Sequence, residues 1–343
     1  MIELLEKLCT LFGPSGCEGE VRRFIRETAQ PYADDIQQDA LGNLMIFRRG
    51  RRPGGKVGML CAHMDEVGLI VKEFTEEGMV RFGLVGGVDP RVIIGRRVKL
   101  GPARITGVVG IKAVHLTTAE ERKQMPAARD LYLDIGAKSK EEAQGMLQYG
   151  DYGVFDSDPV QFGDGLLKAR AIDDRLGCAV LLTLLKEQPA QDTWFAFTVQ
   201  EEVGLRGARC VAHRLNPDFC LVVESTTASD LPDAPGHQQV CRVRGGAVIP
   251  FMDRATIYDA GLFDLLRRLA RENGVAWQTK HRIAGGTDAG RIHLSHGGVR
   301  TAALAAPVRY IHSPSCVAAQ GDLMAVLELA RLFLERMGEI ADV

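Results

Sequence analysis

Residues 195–208 read Phe-Ala-Phe-Thr-Val-Gln-Glu-Glu-Val-Gly-Leu-Arg-Gly-Ala. The first five are apolar or β-branched, which is typical of a buried strand, and the pattern turns polar at Glu201 and Glu202. Because side chains alternate along a strand, the two carboxylates are expected to point to different sides, so one can hold a cation while the other reaches past it. Taken alone, such a pair is more often a solvated strand end.

Three other strand-like runs also stop at a His or an acid. They are residues 57–62 before His63, residues 219–223 before Glu224, and residues 299–311 before His312. In an α/β sheet covered by helices, the carboxyl ends of parallel strands share one edge, and ligands bind at that edge. The sequence therefore predicts that these endings meet around a metal.

The pattern of predicted strands and helices changes twice along the chain, and these changes predict its domains. From 66 to 164 there are short β-like pieces separated by Gly and Pro, which indicates a small barrel or sandwich. On either side helices and strands alternate, which favours a mainly parallel sheet with helices on both faces. We expect an α/β catalytic domain of residues 1–65 and 165–343, interrupted by a β-rich insertion of residues 66–164.

The later part of the chain carries the clearest elements. Predicted helices cover 138–147, 173–186, 206–215, 260–272, 288–294 and 323–337, and predicted strands cover 194–200, 219–224, 275–279 and 300–305.

Composition limits the classes of partner. The 343 residues carry a net charge of −2 and no basic tract, so binding to nucleic acid or to a membrane surface has no electrostatic support. No run approaches the roughly 18 apolar residues of a membrane span. Residues 1–12 read as an amphipathic helix and not as a signal peptide. The eight cysteines are scattered without Cys-x-x-Cys spacing, which predicts buried thiols and a cytoplasmic protein.

Each candidate ligand has an ordinary alternative reading. His63 is followed two residues later by Asp65, which can fix the tautomer of a metal-binding imidazole, although a surface His beside a loop Asp is commoner. Asp173 and Asp174 lie at the start of a predicted helix, and a helix cap explains one of them well but not both. We expect Arg175 to offset the charge of its neighbour.

Together the candidate ligands indicate a metal site, although no single one of them does. Nitrogen and oxygen donors without a thiolate suit Zn²⁺, Co²⁺ or Mn²⁺. We expect one ion on His63, Asp173 and Glu224 and a second on Asp173, Glu202 and His312, about 3.5–4 Å apart. A water between two ions loses a proton near neutral pH, and Glu201 would act as the general base.

Five segments in order resemble one known family. They are AHMDEVG at 62–68, IDDRLGC at 172–178, QEEVGLRGA at 200–208, GTDA at 286–289 and IHS at 311–313. This set is similar to the glutamyl aminopeptidase or tetrahedral aminopeptidase family of dinuclear metallopeptidases, some of whose members are also labelled endoglucanases. Glu224 departs from the family pattern, which usually has Asp there.

The resemblance implies further expectations. It implies a peptidase domain with two metal ions per subunit, a PDZ-like β insertion used in dimerisation, and a hollow twelve-subunit assembly. It assigns Glu201 as base and Asp65 as the residue that steers His63. It also implies that Gly285, Gly286, Thr287 and Asp288 lie beside the first residue of the substrate.

The sequence leaves three functions open. The first is an aminopeptidase that removes N-terminal residues from short peptides. The others are a related amidohydrolase, such as a deacylase, dipeptidase or carboxypeptidase, and a metal-stabilised scaffold with little catalysis. A cellulase is disfavoured because glycosidases need two carboxylates around a sugar and no His ligands. Arg254, Lys280, Arg282 and Arg309 could favour acidic first residues, although charged residues near loops are usually solvated.

Overall fold

Four strands whose residues are almost all buried form the centre of the main sheet, and the runs before His63, Glu201 and Glu224 predict three of them. The computed structural model describes residues 1–232 and 234–339. The first part of the chain supplies two helices and three strands of this layer: α1 (Ile2–Thr10), α2 (Gly19–Ala29), β1 (Asp35–Gln38), β2 (Leu44–Arg48) and β3 (Gly58–His63).

The segment after β3 forms a separate barrel. Its elements are β4 (Gly68–Phe74), β5 (Val80–Val85), α3 (Pro90–Ile93), β6 (Arg97–Leu100), β7 (Ile105–Ile111), β8 (Leu131–Asp134), α4 (Lys140–Met146) and β9 (Tyr152–Phe155). The strands pair antiparallel in the closed order β4-β5-β8-β7-β6-β9 around an apolar core of their own. The expected β-rich barrel is therefore confirmed. The boundaries of the insertion at residues 66 and 164 stay a prediction.

The chain then returns to the main layer. The remaining elements are β10 (Val160–Phe162), β11 (Leu166–Ala169), α5 (Ile172–Leu185), β12 (Thr193–Thr198), α6 (Arg206–Leu215), β13 (Phe219–Thr227), β14 (Ala247–Val248), α7 (Ala260–Glu272), β15 (Trp277–Gln278), α8 (Ala289–Ile292), β16 (Arg300–Val308), β17 (Cys316–Ala319) and α9 (Gln320–Arg336).

The main sheet has eight strands in the order β1-β2-β12-β3-β13-β16-β14-β15. The central strands β12, β3, β13 and β16 are parallel, whereas β2 and β14 run antiparallel to the central strands that they join. A small second sheet, β10-β11-β17, was not expected from the sequence.

Helices cover both faces of the sheet, as expected for this fold class. Along β3, Leu60 and Ala62 belong to the apolar core that includes residues of α1, α5, α7 and α9. Met59 and Cys61 point to the other face and join the cluster that includes residues of α6 and α8. The alternation of side chains along one buried strand thus serves two helical layers.

Three sequence expectations about strand and helix ends are wrong. The strand expected to stop at Glu224 continues to Thr227, so Glu224 lies inside β13. The run 299–311 is not one strand up to His312, because β16 ends at Val308 and Arg309 pairs with Val317 as the chain turns back. His312 lies in that turn with a φ of 58°. The helix predicted from Asp173 is regular only after Asp174, since both Asp residues have non-helical backbone angles.

The expected role of Arg175 is also wrong. Its guanidinium, fully buried, lies 3.2 Å from Glu66 Oε1 and donates to the Leu8 carbonyl at 2.8 Å. Glu66 is paired as well with Arg170, another buried cation. The charge of Arg175 is therefore balanced by Glu66, from the segment after β3, and not by its neighbour in sequence, because the guanidinium reaches Glu66 and the Leu8 carbonyl.

Among the described residues, no helix has the length and apolar content needed to cross a membrane. All eight cysteines are free thiols, and six of them are buried. The expectation of buried thiols is wrong for Cys210, which is exposed, and Cys17 is partly exposed.

Candidate active site at the carboxyl ends of the strands

Register brings the first two candidate ligands to the same level of the sheet. Thr198 of β12 lies opposite His63 of β3, and Cys61 lies opposite Val222 of β13. Counting two residues further along both strands places Glu224 beside His63. Glu201 and Glu202 follow β12 by three and four residues, so the polar side chains collect at this edge, as the sequence predicts.

Asp173 lies between the two candidate histidines. Its Oδ1 is 3.3 Å from Nε2 of His63, and its Oδ2 is 3.2 Å from Nε2 of His312. Glu224 Oε2 lies 3.7 Å from the His63 nitrogen, and Glu202 Oε2 lies 3.2 Å from the His312 nitrogen. The structure therefore brings all five candidate ligands together.

Because α5 starts irregularly, Asp173 and Asp174 make different contacts. Asp174 is completely buried; its Oδ1 accepts from the Gly177 amide at 2.9 Å, which caps the helix, and its Oδ2 accepts from the His63 amide at 3.3 Å. Asp173 is left to project into the site. The contact between Asp174 and β3 was missed from the sequence, where only the helix cap was readable.

Asp65 does more than lie beside His63. The nearest contact of His63 Nδ1 is the backbone carbonyl of Asp65 at 3.1 Å, and the Asp65 carboxylate is slightly further away at 3.5 Å. An acceptor at Nδ1 favours a proton there and leaves Nε2 free to bind a metal. The carboxylate itself accepts from the amides of Glu201 and Glu202 and from the hydroxyl of Ser15.

Several buried oxygens have no hydrogen-bond partner among the described residues. They include Oδ1 of Asp173, Oε1 of Glu202 and Oε1 of Glu224. Glu201 Oε2 is 4.0 Å from Nε2 of His63. Buried carboxylate oxygens without donors are costly, and a divalent cation is one group that would satisfy them.

Crowding of acids changes the protonation of the site. Burial raises the pKa of Glu201 and Glu224 well above the usual range and raises the pKa of Glu202 to about 8. Burial alone would lower the pKa of His312, but hydrogen bonding to Asp173 and the charge of Glu202 raise it to about 9. The crowded acids and His312 therefore keep their protons, and these protons offset negative charge at the position where metal cations would do the same.

Three overlapping groups could each hold a metal ion. They are His63 with Asp173 and Glu202, His63 with Glu201 and Glu224, and Asp173 with Asp174 and Glu224, and in each group the ligand atoms lie within 4.8 Å of one another. The nitrogen and oxygen donors fit Zn²⁺, Co²⁺ or Mn²⁺. Because the groups share residues, the distribution of ligands between two ions stays a prediction.

A cavity of about 180 Å³ opens beside these groups. Gly285, Gly286 and Thr287 line it, and their contacts to a substrate stay a prediction. Asp288 instead lies behind the wall of the cavity, 1% exposed, where its carboxylate accepts from the Thr198 hydroxyl at 2.5 Å. We therefore leave Asp288 out of the proposed substrate contacts.

The four cations considered from the sequence have different surroundings. Lys280 is buried and lines the cavity, and its ammonium makes one long hydrogen bond, 3.4 Å, to the Ala284 carbonyl. Burial lowers the pKa of Lys280. Arg309 is paired with Asp230 at 2.6 Å. Arg254 and Arg282 are exposed and are not among the described residues that line the cavity.

Comparison with known proteins gives a consistent result. The family model described as M42 glutamyl aminopeptidase matches residues 42–329 and so begins after α1 and α2. A putative aminopeptidase of Acetivibrio thermocellus is 39% identical over 96% of this chain and 97% of its own length.

Two solved structures are similar over the whole chain. Aminopeptidase APDkam598 from the archaeon Desulfurococcus kamchatkensis has a TM-score of 0.94 at 33% identity, covering 100% of this chain and 98% of that one. The TET1 peptidase of Pyrococcus horikoshii, described as able to assemble into a tetrahedron or a large octahedral shell, has a TM-score of 0.86 at 32% identity, covering 97% and 99%.

Proposed function

The chain belongs to the M42 glutamyl aminopeptidase family, and we propose that it is a metal-dependent aminopeptidase that removes N-terminal residues from short peptides. The observation that carries this proposal is the position of Asp173, whose two oxygens face Nε2 of His63 and Nε2 of His312. A carboxylate shared between two metal-binding imidazoles is the arrangement that a two-metal hydrolase needs.

The residues at the sheet edge fit a pair of divalent cations. His63, Asp173 and Glu224 would hold one, and Asp173, Glu202 and His312 would hold the other; the unpartnered oxygens of three of these carboxylates support this assignment. When bound, such cations lower the pKa of water and polarise a carbonyl group. Zn²⁺ and Co²⁺ suit the donors best, and Mn²⁺ is a further candidate.

Glu201 is proposed as the general base. Its buried carboxylate lies at the cavity, and burial raises its pKa, so a proton taken from the attacking water is held until the leaving amine accepts it. The surrounding carboxylates would attract the positively charged amino terminus of a peptide, which favours an aminopeptidase over a deacylase or carboxypeptidase. A cavity of about 180 Å³ suits one side chain near this amine.

Lys280 is proposed to contact the side chain of the first residue. It is 5% exposed, lines the cavity, and has no carboxylate within 4 Å among the described residues. A buried ammonium with a single long hydrogen bond, to the Ala284 carbonyl, favours a substrate that supplies a carboxylate. We therefore infer a preference for Asp or Glu as the first residue.

The barrel is proposed as the dimerisation element of a larger homo-oligomer. Val114, Leu116 and Met125 are 67%, 62% and 64% exposed on the barrel segment between β7 and β8, and a covered face would bury them. The assembly described for the Pyrococcus horikoshii relative supports a closed shell. Light scattering tests this, and a monomeric mass at micromolar concentration would contradict it.

The free thiols of all eight cysteines support the reducing cytoplasm as the site of action.

The role of Glu201 is tested by Glu201→Gln. We expect kcat for aminoacyl p-nitroanilides to fall about 10²–10⁴-fold, since the amide cannot take a proton. The rise in melting temperature on addition of Zn²⁺ or Co²⁺ to chelator-treated protein should remain. Glu141→Gln, an exposed carboxylate on α4, is the control. Parent-like turnover by the Glu201 variant would refute the role. If the parent protein hydrolysed N-acetylated reporters as fast as reporters with a free amine, a deacylase would be favoured.

The role of Lys280 is tested by Lys280→Met, which keeps the length of the side chain and removes its charge. We expect kcat/KM for Glu and Asp reporters to fall about 10–100-fold relative to Leu reporters, because a charged hydrogen bond is lost. Arg282→Met, an exposed change two residues away, should leave the ratio unchanged. A Lys280 variant that alters both reporter classes equally would count against the proposed contact.

A further inference from the structure

Four successive backbone amides after β12 are each held by a side chain from the first 65 residues. The amide of Val199 donates to Asn43 Oδ1 at 3.0 Å, and that of Gln200 donates to Glu18 Oε1 at 3.2 Å. The amides of Glu201 and Glu202 donate to the two oxygens of Asp65 at 3.0 and 3.1 Å. We call Glu18, Asn43 and Asp65 the amide clamp.

The clamp replaces a neighbouring strand. Beyond Thr198 the chain leaves the ladder of the sheet, so its buried amides must find other acceptors. Gln200 has a φ of 56°, a left-handed conformation that is unfavourable for a residue other than Gly and persists only where surrounding contacts determine it. Glu18, Asn43 and Asp65 are 4%, 0% and 0% exposed, so water does not compete for their oxygens.

Each clamp residue is itself fixed. Glu18 Oε1 also accepts from the Gly16 amide at 2.6 Å, within the turn that enters α2. Asn43 donates to Asp39 at 2.6 Å and to the Gly207 carbonyl at 3.2 Å. Gly207 lies at the far end of the turn formed by residues 199–207. The clamp therefore holds residues 199–207 at both ends through side chains that do not line the cavity.

We propose that Glu18 and Asn43 are positioning residues, which set the location of Glu201 and Glu202 through the backbone of residues 199–202. The roles of Glu201 and Glu202 rest on the proposed function, whereas the contacts of the clamp do not. Reacting groups must be held within about 0.5 Å, and a displacement of about 1 Å can lower a rate 100-fold. A loose amide at Gln200 moves both carboxylates, because they follow it directly in the chain.

Glu18 allows a test that separates position from charge. Glu18→Gln keeps an oxygen that can accept from the Gln200 amide, whereas Glu18→Ala removes it. For Glu18→Ala we expect kcat to fall about 10–100-fold with KM within threefold, and amide hydrogen exchange in 195–208 to accelerate in the protein without added metal. Glu18→Gln should restore most of the rate and most of the protection.

Asp322→Ala is the matched control for general destabilisation. Asp322 is also a buried carboxylate that accepts from two backbone amides, those of Arg244 and Gly246 at 2.6 and 2.7 Å, but none of these residues lines the cavity. We expect this variant to lose thermal stability comparably to Glu18→Ala, with kcat and exchange in 195–208 unchanged.

Three results would overturn the positioning role. They are parent-like exchange and kcat in Glu18→Ala, an equal loss in Glu18→Ala and Glu18→Gln, and the same loss of kcat in Asp322→Ala. A parent protein that is inert toward every aminoacyl reporter would instead refute the proposed function. In that case the exchange of residues 195–208 still decides whether Glu18 holds the turn.

Discussion

The structure depends on keeping several carboxylates close together and away from water. Asp65, Asp173, Asp174, Glu201 and Glu224 are all at most 9% exposed, and the side chain of Glu202 is 4% exposed. Such a cluster repels itself and is poorly solvated, so it is stable only with compensating positive charge. Two imidazoles and one lysine are fewer positive groups than the carboxylates they face. Burial first, and then the neighbouring carboxylates, raise the pKa values of Glu201, Glu202 and Glu224.

A second buried charge cluster in the same protein shows the contrast. Glu66 is paired with Arg170 and Arg175, and both guanidinium groups also donate to backbone carbonyls of the α1 segment. There the chain supplies both signs of charge itself. At the sheet edge it supplies mainly acids, and an incomplete balance beside a cavity is what a site for cations and a peptide amine requires.

Much of this arrangement was readable from the sequence because it depends on local pattern. The apolar runs before His63, Glu201 and Glu224 located β3, β12 and β13, although β13 continues past Glu224 to Thr227. The alternation of helices and strands indicated helices on both faces of a sheet. The resemblance to a known family joined these pieces into one set.

Contacts between distant segments were not readable. Two examples are the pairing of Arg175 with Glu66 and the capture of the Glu201 and Glu202 amides by Asp65. Each joins a side chain to a distant segment, and such contacts leave no periodic signal. Glu224 is an intermediate case. Its identity is plain in the sequence, but the effect of its longer side chain depends on an oxygen, Oε1, that finds no partner among the described residues.

The central claim is that Asp173 shares its two oxygens between two cations. Anomalous diffraction from crystals equilibrated with Zn²⁺ or Co²⁺ tests it most directly. Two peaks are expected, one joining Asp173 to His63 and the other joining Asp173 to His312. A single peak, or ions bound only by groups that exclude Asp173, would contradict it.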